Sequence, residues 1–250
     1  MREGDERQRV EMPIGMIHPE RVVIENGDRF VDAAATWVAA SIAAVLARRE
    51  RCALALSGGS TPRAIYSHLA DRFVDVPWGL LDVYFGDERR VPPDDPRSNY
   101  HMAWEELLSR VPVLPSRVYR MEGERADPFA AARDYEAILP ASLDVLLLGM
   151  GSDGHTASLF PGAPQLEERA RRVVPSISPA PPVGRLTITP PVIAAAGHVA
   201  VIVSGLEKAP AVARALEGNF DPRVTPVQLA LGATWILDSD AAARLGAVPT

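Results

Sequence analysis

The stretch Asp144–Met150, DVLLLGM, is apolar at consecutive rather than alternate positions. A strand of that kind is buried on both faces, which places it inside a parallel sheet covered on both sides by helices. Cys52–Leu56, Leu81–Gly86 and His198–Ser204 have the same character. Helical periodicity lies between them. Asp28–Arg49 aligns Phe30, Ala34, Trp37, Val38, Ile42 and Val45 on one face, with Asp28 as its cap. Further helices are predicted from Ser60 to Phe73, Ser98–Arg110, Asp127–Leu139, Pro191–Ala196 and Glu207–Glu217. Shorter strands are predicted at Val22–Glu25, Val118–Met121, Leu186–Thr189 and Thr234–Leu237. No linker rich in Gly, Ser or charge interrupts this alternation. The expectation is a Rossmann-like α/β fold, a single doubly wound, mostly parallel sheet flanked by helices. It occupies residues 18–250, after a flexible tail at 1–17.

Charge and composition remove several classes of function. Acidic side chains number 32 against 26 basic ones, a formal net charge of −6. Nucleic-acid binding usually needs a basic surface, so no nucleic-acid partner is expected. No run reaches the ~18 apolar residues of a membrane span. The longest, Trp37–Ala47 and Val192–Val203, fall short, and no membrane partner is expected. Met1–Glu11 is charged and has no apolar core, so no secretory leader is expected. The single cysteine, Cys52, excludes an internal disulfide and fits a cytoplasmic location. The oligomeric state is open between monomer and homodimer. The cations are lopsided, with 25 arginines and one lysine, Lys208. A lone ammonium in such a chain points to a site that needs a compact point charge.

In doubly wound folds ligands bind beyond the carboxyl ends of the strands. Four unusual segments follow strands here. Ser57-Gly58-Gly59-Ser60-Thr61-Pro62 joins a strand to a helix. Its glycines permit a sharp turn, Ser60 or Thr61 is placed to cap the helix, and the helix start suits a phosphate. Asp87-Glu88-Arg89 ends another strand, where Arg89 suits a carboxylate, a phosphate or a developing oxyanion. Gly149–Pro161, GMGSDGHTASLFP, formally contains the dinucleotide fingerprint, but Pro161-Gly162 leaves no room for the helix that motif requires. It presents instead Asp153 and His155, a carboxylate two residues from the side chain best suited to move a proton near neutral pH. Finally, Ser204-Gly205-Leu206-Glu207-Lys208 puts the lone lysine after a strand, and Arg185, just before the Leu186–Thr189 strand, is a second cation. His18, His68, His101 and His198 have no comparable setting and read as structural.

Together, SGGSTP at 57–62, DERRVP at 87–92, SNY at 98–100, GMGSDGHTASLFP at 149–161 and SGLEKA at 204–209 resemble the 6-phosphogluconolactonase family. More loosely they resemble the related glucosamine-6-phosphate isomerases. The resemblance spans about residues 20–240 and implies the glucosamine-6-phosphate isomerase type of fold. It implies hydrolysis of 6-phospho-D-glucono-1,5-lactone, a phosphorylated sugar lactone, in the oxidative pentose phosphate pathway, without a metal or bound cofactor. On that resemblance His155 is the general base, Asp153 orients it, and Arg89 holds substrate and stabilises negative charge at the carbonyl. Gly58, Gly59, Ser60, Thr61 and Lys208, with Arg185, hold the 6-phosphate. Asn99 is a substrate contact, and Asp87 is either a substrate contact or an arginine's partner.

Two other readings compete. The isomerase relatives typically carry DEY where this chain has Asp87-Glu88-Arg89. They carry a glutamate where it has Phe160, and without that carboxylate sugar-ring opening loses its proton relay. A non-catalytic sugar-phosphate-binding domain of a regulator would bring a DNA-binding helix-turn-helix and a basic face. Only about 20 residues precede the first strand, and the chain is acidic.

Overall fold

The computed structural model describes Pro19 and residues 21–246; the tail expected at 1–17 lies outside them. Nine strands are present among the described residues: β1 (Arg21–Glu25), β2 (Cys52–Leu56), β3 (Leu81–Phe85), β4 (Asp87–Arg89), β5 (Val145–Leu148), β6 (Val173–Ile177), β7 (Gly184–Ile188), β8 (His198–Val203) and β9 (Thr234–Asp238). The α-helices are α1 (Gly27–Leu46), α2 (Ser60–Arg72), α3 (Asn99–Ala103), α4 (Pro128–Ile138), α5 (Pro190–Ala195) and α6 (Ala209–Glu217).

Six strands form a wholly parallel sheet in the order β1-β9-β8-β5-β2-β3. The consecutive apolar residues do what their pattern demands. Val145 and Leu147 of β5 pack with α1, α2 and α3 on one face. Leu146 and Leu148 pack with α4, α5 and α6 on the other. Each of these leucines is at most 1% exposed, and burying such a side chain contributes about 1.5–3 kcal/mol.

The structure departs from expectation in several places. The charged triplet Asp87-Glu88-Arg89 is itself a strand, and with β6 and β7 it forms a second, antiparallel sheet ordered β4-β7-β6. β6 was not anticipated, because Pro175 breaks its pattern; it survives as an edge strand, paired only with β7. The strand expected at Val118–Met121 shrinks to a single bridge between Val118 and Val83. Asp28 does not cap α1. Asn26 holds the cap position, and Asp28 sits in the first turn, where a carboxylate favours the helix dipole. Helix α1 is by length and composition apolar enough to cross a membrane, which the sequence runs had not suggested. Here its stripe Phe30, Ala34, Val38 and Ile42 is buried against the sheet.

The strand order also locates the site. From β2 the chain crosses through α2 to β3 on one side, while β5 lies on the other side of β2 and leads away to its own neighbour β8. The loops after β2 and β5 therefore diverge and open a crevice at the carboxyl edge of the sheet.

Candidate active site

A cavity of about 360 Å³ fills that crevice. The loops after β2, β5 and β8 form its floor, and the β4–β7 ribbon forms a wall. Gly58, Gly59, Ser60, Thr61, Asp87, Arg89, Asn99, His155, Arg185 and Lys208 all line it. Asp153 does not; it lies behind His155.

The β2–α2 loop is held from below. The Ser57 N–H donates to the Tyr66 hydroxyl, which donates back to the Ser57 carbonyl, both at 2.9 Å. Burial pushes the Tyr66 phenol far above its usual value, so it stays a donor. Neither Ser60 nor Thr61 caps α2. Gly59, at φ +113°, holds that position and offers no side chain, which leaves the first-turn N–H groups to a ligand. Gly58 has a different task. A Cβ there would stand 1.8 Å from Asn99 Oδ1, a buried oxygen with no other partner among the described residues. Glycine puts a Cα–H on that line, a weak donor to this oxygen.

The ribbon supplies charge. Asp87 is buried and has no arginine partner among the described residues. Its Oδ2 accepts from the Ser158 hydroxyl at 2.6 Å and its Oδ1 from Asn99 Nδ2 at 3.1 Å. Glu88, unremarked in the sequence, points away and organises the start of α3. Its carboxylate accepts from the N–H groups of Arg89, Asn99 and Tyr100 and from the Ser98 hydroxyl, at 2.7–2.9 Å. Burial raises its carboxyl above the usual value, against the pull of those donors. Arg89 and Arg185 face one another in the β4–β7 register. Burial, and then the charge of Arg89, push the Arg185 guanidinium below its usual value.

The loop after β5 is a tight turn, not a helix start, with a Thr156–Leu159 bridge and Ala157 at φ +47°. His155 Nδ1 lies 2.6 Å from Asp153 Oδ1, which also accepts the His155 N–H at 3.0 Å. A carboxylate only accepts, so Nδ1 carries a ring proton, and in the neutral ring the lone pair is on Nε2. Burial works to raise the Asp153 carboxyl, but the His155 ring and N–H together outweigh it and hold it below 3.8. Gly151 makes room for the pair, since a Cβ there would meet His155 Nδ1 at 2.1 Å. The Phe160 ring packs on the imidazole at 4.7 Å between centroids.

Groups that sequence reasoning missed hold these loops. Arg214 of α6 donates to the Asp153 carbonyl and to Thr225 Oγ1, both at 3.1 Å. Asp238, at the end of β9, accepts from Ser204 Oγ at 2.6 Å and from the Gly205 N–H, fixing the turn that carries Lys208. Lys208 Nζ lies 4.0 Å from Glu207. A polar residue ending a buried strand was the available signal for Asp238; nothing local distinguished Arg214 or Ser158. Away from the site His68 pairs with Asp32 and His101 with Glu105, in keeping with structural roles.

A switch-point crevice with three cations and an Asp–His pair defines an α/β protein suited to acid–base chemistry on a small anionic ligand. The family model described as glucosamine-6-phosphate isomerases/6-phosphogluconolactonase matches residues 25–236, and the chain belongs to that family. It is 37% identical over 240 residues to the 6-phosphogluconolactonase of Mycobacterium tuberculosis, covering 89% of this chain and 97% of that one. Among solved structures it resembles the 6-phosphogluconolactonase from Trypanosoma brucei, with a TM-score of 0.81 and 28% identity over 92% of this chain and 100% of that chain. A monomeric glucosamine-6-phosphate deaminase, 24% identical with a TM-score of 0.78 over 90% of this chain and 100% of that one, shares the fold.

Proposed function

We propose that the protein hydrolyses 6-phospho-D-glucono-1,5-lactone to 6-phosphogluconate in the oxidative pentose phosphate pathway, in the cytoplasm. The observation that carries this reading is the Asp153–His155 pair at 2.6 Å, opening on a cavity lined by Arg89, Arg185 and Lys208.

His155 Nε2 takes a proton from water as the water oxygen bonds to the lactone carbonyl carbon. Asp153 keeps the ring in the right tautomer and stabilises the imidazolium that forms. Arg89 offsets the negative charge that develops on the carbonyl oxygen. The bond between the carbonyl carbon and the ring oxygen then breaks, and that oxygen takes the proton back from His155. The Gly58–Thr61 loop and Lys208, with Arg185, hold the 6-phosphate. None of these steps uses a metal or a bound cofactor.

Phe160 favours hydrolysis over isomerisation. An apolar ring packed on His155 cannot exchange protons with it, and hydrolysis needs no second carboxylate at that position. The test is an assay on freshly generated lactone, read as the rate above spontaneous opening, with wild type and His155→Ala side by side. Acceleration by wild type that is lost in the variant supports the reading. A folded wild type that gives none would sink it.

A further inference from the structure

The cavity has a side that does not fit an anion. Asp87 and Ser158 both line it, opposite in chemistry to the three cations, and both are buried. The Ser158 hydroxyl is a donor or an acceptor until its proton is assigned, and here the assignment is forced. Ser158 Oγ stands 2.6 Å from Asp87 Oδ2, a carboxylate that only accepts, so the hydroxyl proton points at Asp87. The remaining Oγ lone pairs can only accept.

The rest of Ser158 is pinned so that this orientation persists. Its N–H donates to Thr187 Oγ1 at 3.1 Å, and its carbonyl accepts from Ser176 Oγ at 2.7 Å. Thr187 lies opposite Asp87 in the β4–β7 register, so one ribbon holds both ends of the Ser158–Asp87 bond. Asp87 Oδ1 is fixed from the other side by Asn99 Nδ2. The corner presents acceptors and no free donor.

We infer that Ser158, backed by Asp87, is a specificity-determining residue that accepts a hydrogen bond from a hydroxyl of the ligand. The inference rests on the proposed sugar-phosphate reading and deepens it. The cations select the phosphate, and this corner selects a polyol over its deoxygenated counterpart. An acceptor-only corner left facing a C–H group stays desolvated and unpaired, which is the stronger part of the discrimination.

The test is a titration of wild type, Ser158→Ala and Ser176→Ala with 6-phosphogluconate, its 2-deoxy and 3-deoxy counterparts, and inorganic phosphate. Wild type is expected to prefer the parent over at least one deoxy ligand by about 10- to 100-fold. In Ser158→Ala that preference falls to within about twofold, with inorganic phosphate bound as before. Ser176→Ala loosens the same loop without touching the acceptor and keeps the preference. A Ser158→Ala protein that retains the wild-type preference overturns the inference alone, as does equal loss in Ser176→Ala. Failure of wild type to bind 6-phosphogluconate overturns the sugar-phosphate reading and this inference with it.

Discussion

Arg89 and Arg185 stand directly opposite each other on neighbouring antiparallel strands, and both hydrogen-bond backbone carbonyls, those of Arg97 and Gly184. Neither is ion-paired to a carboxylate among the described residues. Two like charges so placed oppose folding and favour an anionic ligand in the cavity they line. Replacing the buried member, Arg185→Met, is expected to raise the melting temperature of the ligand-free protein by about 2–4 °C, for about 1 kcal/mol in a domain of this size. The same variant should lose most of the stabilisation that 6-phosphogluconate confers on wild type. Thermal melts with and without that ligand check both halves.

The proposed base and the proposed anchor are expected to separate kinetically. His155→Ala is expected to lower kcat by about 10²- to 10⁴-fold, with affinity for 6-phosphogluconate nearly unchanged. Lys208→Ala is expected to weaken that affinity by about 10- to 100-fold, with the smaller effect on kcat. Steady-state kinetics on the lactone and a titration with the product decide this. The same profile from both variants would refute the division of labour.

Asp153 predicts a pH dependence. Its carboxyl is held below 3.8 in the folded protein, so its contribution is complete above that value and is lost as pH falls through the folded value beneath it. Asp153→Asn should therefore be less stable than wild type while the carboxyl is ionised, by a margin that closes as pH falls through the lowered folded value. Denaturant unfolding across that fall in pH measures the gap. The same variant should lose about 100-fold or more in kcat, because an amide does not hold the imidazole in the required tautomer.

Two glycines lining the same cavity should behave differently. Gly58→Ala would push a methyl group to 1.8 Å from Asn99 Oδ1, and Asn99 is held by two hydrogen bonds to Asp87. A cost of about 1–3 kcal/mol is expected, read as a lower unfolding midpoint. Gly149→Ala meets nothing within 4 Å and has no positive φ, so its stability should stay near wild type.

What the sequence made legible follows from burial. β2 and β5 are apolar at every position, and β8 at every position after His198, because both faces are covered, and such runs identify themselves. β4 reads Asp-Glu-Arg and β6 contains Pro175, so of the second sheet only β7, expected at Leu186–Thr189, has an apolar signature. Its partners are set by tertiary contacts alone. At the site, glycine turns and strand-end charges pointed to the cavity-lining residues, but hydrogen-bond direction was out of reach. The sequence suggested that Ser60 or Thr61 caps α2, whereas a glycine occupies the cap. It left Asp87 between a ligand and an arginine, whereas serine and asparagine hold it. Glu88, Ser158 and Arg214 act on residues distant in sequence, and no local pattern marks such pairs; Asp238 alone carried a signal, as a polar residue ending a buried strand.

The lopsided choice of cations makes this enzyme pocket chemically addressable. With 25 arginines and one lysine, the chain offers acylating reagents a single side-chain amine, and that amine lines the cavity. Label counted at Lys208, apart from that on the α-amine, would then report on occupancy of the pocket. The arginines that carry the rest of the side-chain positive charge stay silent to the same reagent.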